Sequence, residues 1–258
     1  MSMNSPVETL EFTTDGGLGT VARLGLIVLQ TDQTIEHEFA DVFGARDGVA
    51  LYAARIPNAL EVTPDTLRQM AEEMPQTAGL LPENFGFDVV GYGCTSGATM
   101  IGESRVDALI RSVHPKAKTT NPISACKAAL AALGLKRIAL VTPYAVEVTL
   151  EMQANLSAAG FETAAVATFN ETSDFTVARI SPDSILKAVL QIGKRDDCDG
   201  VFVSCTSLRV MQIISQAEAA LGKPVISSNQ ALAWHMARLA GLSELPTNTG
   251  RLFGAALK

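Results

Sequence analysis

A duplicated segment constrains this chain more than any other feature. Asp88-Val-Val-Gly-Tyr-Gly-Cys94-Thr-Ser and Asp199-Gly-Val-Phe-Val-Ser-Cys205-Thr-Ser each place an aspartate, an apolar run and a Cys-Thr-Ser triplet in the same order. The two aspartates stand 111 positions apart, and so do the two cysteines. This agreement predicts two related halves, each with a thiol at the same place in its fold.

A second repeat and the alternation of elements indicate the fold class. Arg23-Leu-Gly-Leu-Ile-Val and Arg137-Ile-Ala-Leu-Val-Thr are basic-then-apolar segments 114 positions apart. Predicted strands alternate with predicted helices, which is typical of a parallel sheet. We therefore predict an α/β fold of two pseudo-symmetric Rossmann-like halves with parallel sheets. Because the carboxyl ends of the strands would meet, the active site should lie between the halves.

The same pattern predicts the boundaries of the halves. Residues 1–20 are polar and lack a period, as expected for a loosely held leader. The first half is predicted to comprise residues 21–120 together with the returning segment 228–258. Residues 121–227 would form the second half.

Apolar periodicity and turn residues predict the individual elements. The predicted strands are 24–29, 49–55, 88–92, 117–120, 138–141, 163–168, 200–203 and 225–228. The predicted helices are 34–43, 63–80, 96–112, 124–133, 146–159, 181–192, 207–221 and 231–240. Each Cys-Thr-Ser triplet would then lie between a strand and a helix. Unpaired amides and the helix dipole favour thiolate over thiol at such a position.

Composition excludes several classes of function. The chain has 258 residues, 47% of them hydrophobic, which is enough for a large core. A net charge of −7 and the lack of a basic stripe argue against nucleic acid as a partner. The apolar runs are too short to cross a membrane, and no signal segment is visible. We expect a cytoplasmic protein without a membrane partner.

The sequence also argues against a cofactor or a metal. Gly91, Gly93 and Gly97 are spaced one residue too widely for the dinucleotide-binding fingerprint. The four cysteines form no Cys-x-x-Cys pair, and the three histidines are scattered. We therefore expect no cofactor and no metal.

The four cysteines divide into two groups. Free cysteine usually behaves as a small buried apolar residue, and this interpretation fits Cys126 and Cys198. The duplicated context of Cys94 and Cys205 favours catalysis instead. Next to these two thiols, the hydroxyl groups of Thr95, Ser96, Thr206 and Ser207 are candidate ligands of a substrate carboxylate.

Several motifs in the same order resemble the aspartate/glutamate racemase superfamily, and within it the branch of maleate cis-trans isomerases and arylmalonate decarboxylases. The resemblance runs from about residue 23 to residue 240. The motifs that carry it are Gly-Cys94-Thr95-Ser96-Gly97, Arg137-Ile-Ala-Leu-Val-Thr-Pro143-Tyr144, Phe169-Asn170 and Ser204-Cys205-Thr206.

This resemblance implies a cofactor-independent enzyme that places one cysteine from each half on opposite faces of a small carboxylate. Decarboxylases of the branch generally keep only the second thiol, so two thiols favour isomerase or racemase chemistry. By resemblance, Cys94 adds to the double bond of maleate and Cys205 acts as acid and base. Tyr144 and Asn170 would hold the carboxylates. The resemblance further implies a homo-oligomer, a dimer or higher.

One segment departs from the pattern of maleate isomerases. Where these enzymes usually carry an asparagine, this chain reads Gln30-Thr-Asp32-Gln33. An ionised Asp32 would repel a dicarboxylate and select an amino or amidine group. The segment is also similar to a racemase-like protein of ectoine utilisation. Asp32 could equally be only a helix N-cap.

Three alternatives to the maleate isomerase stay open. They are an amino-acid-type racemase of ectoine catabolism, an arylmalonate-type decarboxylase, and a carboxylate-binding protein without catalysis. Both the isomerase and the racemase need both thiols, with the two cysteines as opposed bases in racemisation. A decarboxylase would need only Cys205.

Overall fold

Two parallel sheets with the same strand order form the framework of the protein. The computed structural model describes residues 7–44, 46–246 and 248–258. The first sheet has the order β2-β1-β3-β4 and the second β6-β5-β7-β8. The strands are β1 (Ala22–Leu29), β2 (Val49–Ile56), β3 (Val89–Gly93), β4 (Lys118–Thr120), β5 (Arg137–Thr142), β6 (Glu162–Thr168), β7 (Gly200–Val203) and β8 (Val225–Ser227). The predicted α/β fold with two matching parallel sheets is confirmed.

Helices connect the strands and cover the sheets. They are α1 (Ile35–Phe43), α2 (Pro64–Ala78), α3 (Thr95–Ile101), α4 (Glu103–Arg111), α5 (Pro122–Leu133), α6 (Val146–Ala158), α7 (Asp174–Val177), α8 (Pro182–Gly193), α9 (Ile214–Leu221) and α10 (Ser228–Leu239). Every residue of the central strands β3 and β7 is buried, as expected for parallel strands packed on both faces. Among the described residues, no helix has the length and apolar character needed to cross a membrane.

The duplicated aspartates have the same structural role in both halves. Asp88 accepts a hydrogen bond from the backbone N–H of Arg23 at 2.8 Å, and its own N–H donates to the Arg23 carbonyl at 2.9 Å. Asp199 repeats both contacts with Arg137, at 3.1 Å and 2.7 Å. Each aspartate therefore joins its own strand to the beginning of the neighbouring central strand. These backbone contacts account for the repeated aspartates, whereas the repeated cysteines have no such structural role here.

Two predicted helices differ from the observed ones. The single helix predicted for 96–112 is divided into α3 and α4 by Gly102, whose φ of 92° lies in the left-handed region that glycine tolerates. The helix predicted for 207–221 begins only at Ile214, after an irregular stretch and a 3-10 turn. The backbone at Cys205 causes this delay, as described below.

The chain crosses from the second sheet to the first where β8 meets α10. β8 pairs with β7, whereas α10 packs on β3. A Cβ atom on Gly91 of β3 would lie 2.6 Å from the Met236 sulfur of α10, so a larger residue would force the Met236 side chain to move. Residues 7–20 run without regular secondary structure and are almost all exposed, and residues 1–6 of the predicted leader lie outside the described residues. The division into 21–120 plus 228–258 and 121–227 remains our proposal.

Candidate active site

A narrow cavity lies at the carboxyl ends of the two sheets, and both duplicated cysteines line it. Its free volume is about 20 Å³, which is enough for roughly one water molecule. Its wall comprises Leu29, Asn58, Ala59, Glu61, Val62, Thr66, Leu67, Met70, Cys94, Thr95, Ser96, Tyr144, Asp174, Cys205, Thr206 and Ser207. The predicted meeting of both thiols in one space between the halves is therefore observed.

Cys94 has the predicted position at the start of a helix. It is the N-cap of α3, and its Sγ accepts a hydrogen bond from the N–H of Gly97 at 3.2 Å. The Ser96 hydroxyl lies 3.7 Å from the same sulfur. A Cβ atom at Gly97 would come within 2.9 Å of Sγ and 2.5 Å of the Tyr92 hydroxyl. Glycine is thus required for the close approach of helix and thiol.

Cys205 departs from the predicted geometry. Its φ is 117°, a strained value for a residue with a side chain. The following residues bend across the cavity, and no helix begins until α9. The prediction that both thiols lie at helix N-termini is therefore wrong for Cys205. The physical reason is that residues 206 and 207 form contacts with the first half, which a helix starting at residue 207 would prevent.

Hydroxyl groups join the two cysteine loops directly. The Ser228 Oγ accepts hydrogen bonds from the Thr95 hydroxyl at 2.8 Å and from the Cys205 N–H at 3.0 Å. The Thr206 hydroxyl donates to the Gly93 carbonyl at 3.3 Å. These contacts hold the two loops in one arrangement. Sequence analysis missed Ser228. It stands directly after β8, where the chain passes from the second sheet to α10.

A buried glutamate supports the Cys205 loop from behind. Glu38 of α1 accepts hydrogen bonds from the Met211 N–H at 3.0 Å and from the Asn229 amide at 2.7 Å. The same amide donates to the Thr206 carbonyl at 2.8 Å. Burial raises the pKa of Glu38 to about 7, against the effect of these donors. An ionisable group of the first half therefore contacts the loop that carries the second cysteine.

Both catalytic candidates lie where burial favours the neutral thiol. Burial raises the pKa of Cys94 to about 11, and the Asp174 charge adds to this, whereas the Gly97 N–H and the Ser96 hydroxyl oppose it. Burial and the Asp174 charge also raise the pKa of Cys205, and more strongly. For Cys94, burial thus opposes the thiolate form that the amides at the start of α3 favour.

The raised pKa of Cys94 has a measurable consequence. We expect its alkylation by iodoacetamide in the unliganded protein to accelerate about tenfold per pH unit between about pH 7 and 10, since only the thiolate reacts. Peptide mapping by mass spectrometry would follow each cysteine separately. Cys126, which is buried in α5, is the internal control and should react more slowly throughout. A plateau in the Cys94 rate below about pH 8 would contradict this expectation.

The structure brings only some of the other predicted substrate ligands to the cavity. Thr95, Ser96, Tyr144, Thr206 and Ser207 line it. The Tyr144 hydroxyl lies 3.4 Å from the Ser204 hydroxyl, and burial raises its pKa well above the usual range. Donors on the threonines and on Ser207 are already engaged within the protein.

Three predicted ligands lie outside the cavity wall. Asp32 Oδ1 accepts hydrogen bonds from the N–H groups of Thr34 at 2.7 Å and Ile35 at 2.9 Å, so its carboxylate binds the backbone at the start of α1. Burial raises the pKa of Asp32 against these bonds. Gln33 lines a separate surface groove, and Asn170 is exposed with a φ of 53°. Contact of these three residues with substrate remains a prediction.

Asp174 is the most important residue that sequence analysis missed. It is only 4% exposed, and its Oδ1 accepts a hydrogen bond from the Ser207 hydroxyl at 2.9 Å. Its Oδ2 accepts from the Thr31 hydroxyl, which in turn accepts from the Asn58 amide at 2.9 Å. Asp174 begins the four-residue helix α7, which is too short to produce a periodic signal.

Two segments from different halves close the cavity. The Val62 N–H donates to the Thr172 carbonyl at 3.0 Å, and the Asp174 N–H donates to the Leu60 carbonyl at 3.3 Å. A single bridge between Glu61 and Ser173 completes this contact. Because the free volume is about that of one water molecule, a small carboxylate fits only after groups of the wall move.

Comparison with known proteins identifies the family. The sequence model of the arylmalonate decarboxylase family, Amdase, matches residues 24–253. This chain belongs to that family. The resemblance to the branch of maleate isomerases and arylmalonate decarboxylases, inferred from the motifs, is thereby confirmed. In this family member, the fold consists of two four-stranded parallel sheets, and Cys94 and Cys205 follow strands of different sheets.

Relatives of both activities are similar to this family member. An alanine variant of the maleate isomerase Iso of Pseudomonas putida S16, solved with maleate, has a TM-score of 0.83 at 23% identity and covers 92% of this chain and 98% of that chain. A serine variant of the Nocardia farcinica maleate cis-trans isomerase has a TM-score of 0.81 at 22% identity, with coverage of 90% and 98%. The arylmalonate decarboxylase of Bordetella bronchiseptica is 32% identical over 126 residues, 48% of this chain and 52% of that protein.

Proposed function

We propose that this protein is a cofactor-independent isomerase of a small carboxylate, with cis-trans isomerisation of the maleate type as its reaction. The observation that carries the proposal is the pair of buried thiols, one from each sheet, in the wall of one cavity. The family supports it through maleate isomerases that align over about nine tenths of this chain. The Nocardia farcinica variant was solved with a covalently bound succinylcysteine intermediate.

The proposed reaction uses the two thiols in different roles. The Cys94 thiol first loses its proton to solvent. The resulting thiolate forms a C–S bond with one alkene carbon, and the alkene electron pair moves onto the neighbouring carbon and its carboxylate. Cys205 donates a proton to that carbon, so that a single bond now joins the two carbons and can rotate. The Cys205 thiolate then removes the proton, the C–S bond breaks, and fumarate and the Cys94 thiolate are released.

The surroundings of the thiols support this division of roles. Cys94 receives hydrogen bonds from the helix start and has the lower pKa of the two, as a nucleophile requires. Cys205 is less readily ionised because burial and the Asp174 charge favour its neutral form, as an acid requires. The hydroxyl groups of Ser96 and Tyr144 would hold the reacting carboxylate, with Asn170 approaching from the loop after β6.

A second candidate is racemisation of an amino-acid-type substrate, as in the racemase-like protein of ectoine utilisation. One thiol would remove the α-proton and the other would return it on the opposite face. The observation that favours it is the buried Asp174 in the cavity wall, which suits a substrate with an amino group better than a dicarboxylate. A decarboxylase and a binding protein without catalysis give Cys94 no necessary role.

Proton NMR with maleate in deuterated buffer tests the proposal. We expect the alkene signal of maleate to be replaced by that of fumarate in the wild-type protein, and no conversion with either Cys94→Ala or Cys205→Ala. If maleate is unchanged but α-protons of an amino acid exchange for deuterium, the racemase is correct. Decarboxylation of an arylmalonate by Cys94→Ala would instead support the decarboxylase.

A further inference from the structure

Cys205 has a backbone conformation that a residue with a side chain rarely adopts. Its φ is 117°, whereas the φ of its counterpart Cys94 is −146°. Up to the residue before it the chain follows the second sheet, because the Ser204 N–H donates to the Val141 carbonyl at 2.8 Å. A left-handed conformation costs energy and persists only where surrounding contacts impose it. The contacts that impose it on Cys205 should therefore begin at its own backbone groups.

Two adjacent side chains at the start of α10 bind the backbone of Cys205 and Thr206. The Ser228 Oγ accepts a hydrogen bond from the Cys205 N–H at 3.0 Å. The Asn229 side-chain amide donates to the Thr206 carbonyl at 2.8 Å. All four residues are buried, so breaking either bond would leave a buried backbone group without a partner. We call Ser228 and Asn229 the α10 clamp, since they fix the two ends of the Cys205-Thr206 dipeptide.

Contacts with the first half hold the α10 clamp itself in place. The Thr95 hydroxyl donates to the Ser228 Oγ at 2.8 Å. The Asn229 amide also donates to the carboxyl group of Glu38, in α1, at 2.7 Å. α10 packs on β3, the strand that leads to the first cysteine. The backbone of Cys205 is therefore positioned relative to the first half, although Cys205 follows a strand of the second sheet.

The orientation of the Asn229 amide is also determined by its surroundings. Its NH2 group donates to the Glu38 carboxyl group and to the Thr206 carbonyl. Its Oδ1 is buried and has no hydrogen-bond partner among the described residues. Rotating the amide by half a turn would place Oδ1 against the Thr206 carbonyl oxygen, where neither atom can donate a hydrogen bond. The amide can therefore bind Thr206 only in the observed orientation.

We propose that Ser228 and Asn229 are positioning residues that hold Cys205 in the conformation needed for proton transfer. This inference rests on the proposed function, which makes Cys205 the acid and base. Neither residue is part of the described cavity wall, so both act on the reaction through the backbone of Cys205. A displacement of the sulfur by about 1 Å can lower the rate by about a hundredfold, since proton transfer needs close contact.

Amide hydrogen exchange tests the α10 clamp independently of catalysis. Labelling with ¹⁵N-cysteine gives one backbone signal for each of the four cysteines, and single alanine variants assign them. In Ser228→Ala the Cys205 N–H loses its acceptor, so we expect its exchange, relative to that of Cys126 in α5, to accelerate at least about tenfold. Asn229→Ala loses the contact with Thr206 instead and should accelerate this exchange at least about threefold.

Ser227→Ala is the matched control for the exchange experiment. Ser227 is also buried, and its Oγ also accepts a backbone hydrogen bond, from the Gln230 N–H at 3.0 Å, but this bond caps α10 itself. The variant should lower the thermal unfolding temperature about as much as Ser228→Ala does. It should leave the exchange of the Cys205 amide within about twofold of wild type.

The kinetic test follows the reaction with maleate. Because Cys205 is misplaced in Ser228→Ala, we expect kcat to fall about a hundredfold without an increase in KM. The covalent adduct on Cys94 should accumulate, since removal of the proton from the adduct becomes slow. Ser227→Ala should keep kcat within about twofold of wild type.

The inference is overturned if Ser228→Ala leaves the exchange of the Cys205 amide unchanged, if Ser227→Ala accelerates it equally, or if exchange accelerates in Ser228→Ala while kcat stays at the wild-type value. If Ser228→Ala does not fold, Asn229→Ala decides the same three points. Failure of the proposed function gives a different result, because Cys205→Ser would then keep full turnover, whatever the exchange rates of the α10 clamp variants are.

Discussion

Replacing Cys94 with alanine is expected to lower kcat for maleate isomerisation by at least about a thousandfold, because the variant cannot form the covalent bond to the alkene. Only a buried sulfur is removed, so the change in structure should be small: Cys94 is 3% exposed and its Sγ accepts one backbone hydrogen bond. Steady-state kinetics by NMR, together with the thermal unfolding temperature, would measure both effects.

Cys198→Ala is the matched control for this experiment. Cys198 is another buried thiol, 4% exposed, and it precedes the same strand β7 that leads to Cys205. It lies outside the cavity wall, so its replacement should leave kcat within about twofold of wild type. Comparable activity in Cys94→Ala and Cys198→Ala would show that the first thiol is not the nucleophile.

Replacing Cys205 with serine should arrest the reaction at the covalent stage rather than before it. Cys94 remains able to add to maleate, and the adduct takes its proton slowly from water. A serine hydroxyl is too weak a base to remove that proton again, so the adduct accumulates. We expect kcat to fall by at least about a hundredfold. Intact-protein mass spectrometry after incubation with maleate should show an adduct with the mass of one maleic acid, on the peptide that contains Cys94.

The double variant Cys94→Ala/Cys205→Ser supplies the control, because it should form no adduct. An adduct on Cys205 in a Cys94→Ala protein would show that Cys205 is the nucleophile and that Cys94 is the acid and base. Rapid formation of fumarate by Cys205→Ser would remove Cys205 from the chemistry altogether. In that case its strained backbone, with a φ of 117°, would serve only to position Thr206 and Ser207.

Much of the fold was accessible from local patterns. The strands β3 and β7 each follow a duplicated aspartate. The matching backbone contacts of Asp88 and Asp199 explain why an aspartate stands at the same place in both halves. The helix starting at Thr95 followed from the residues after Cys94. The helix after Cys205 did not, because its delayed start depends on contacts with the other half, which no local window contains.

Two related α/β halves and a meeting of two thiols could be predicted from the sequence, because the apolar pattern of each strand is local and the Cys-Thr-Ser repeat is visible in the chain. The place of Asp174 beside the two thiols, and the effect of burial on their pKa values, depend on the assembled fold. Asp174 accepts hydrogen bonds from the hydroxyl groups of Thr31 and Ser207, which are far apart in the chain. The pKa of Cys94 is raised to about 11 because packing removes water from the sulfur, and burial is a property of the assembled fold.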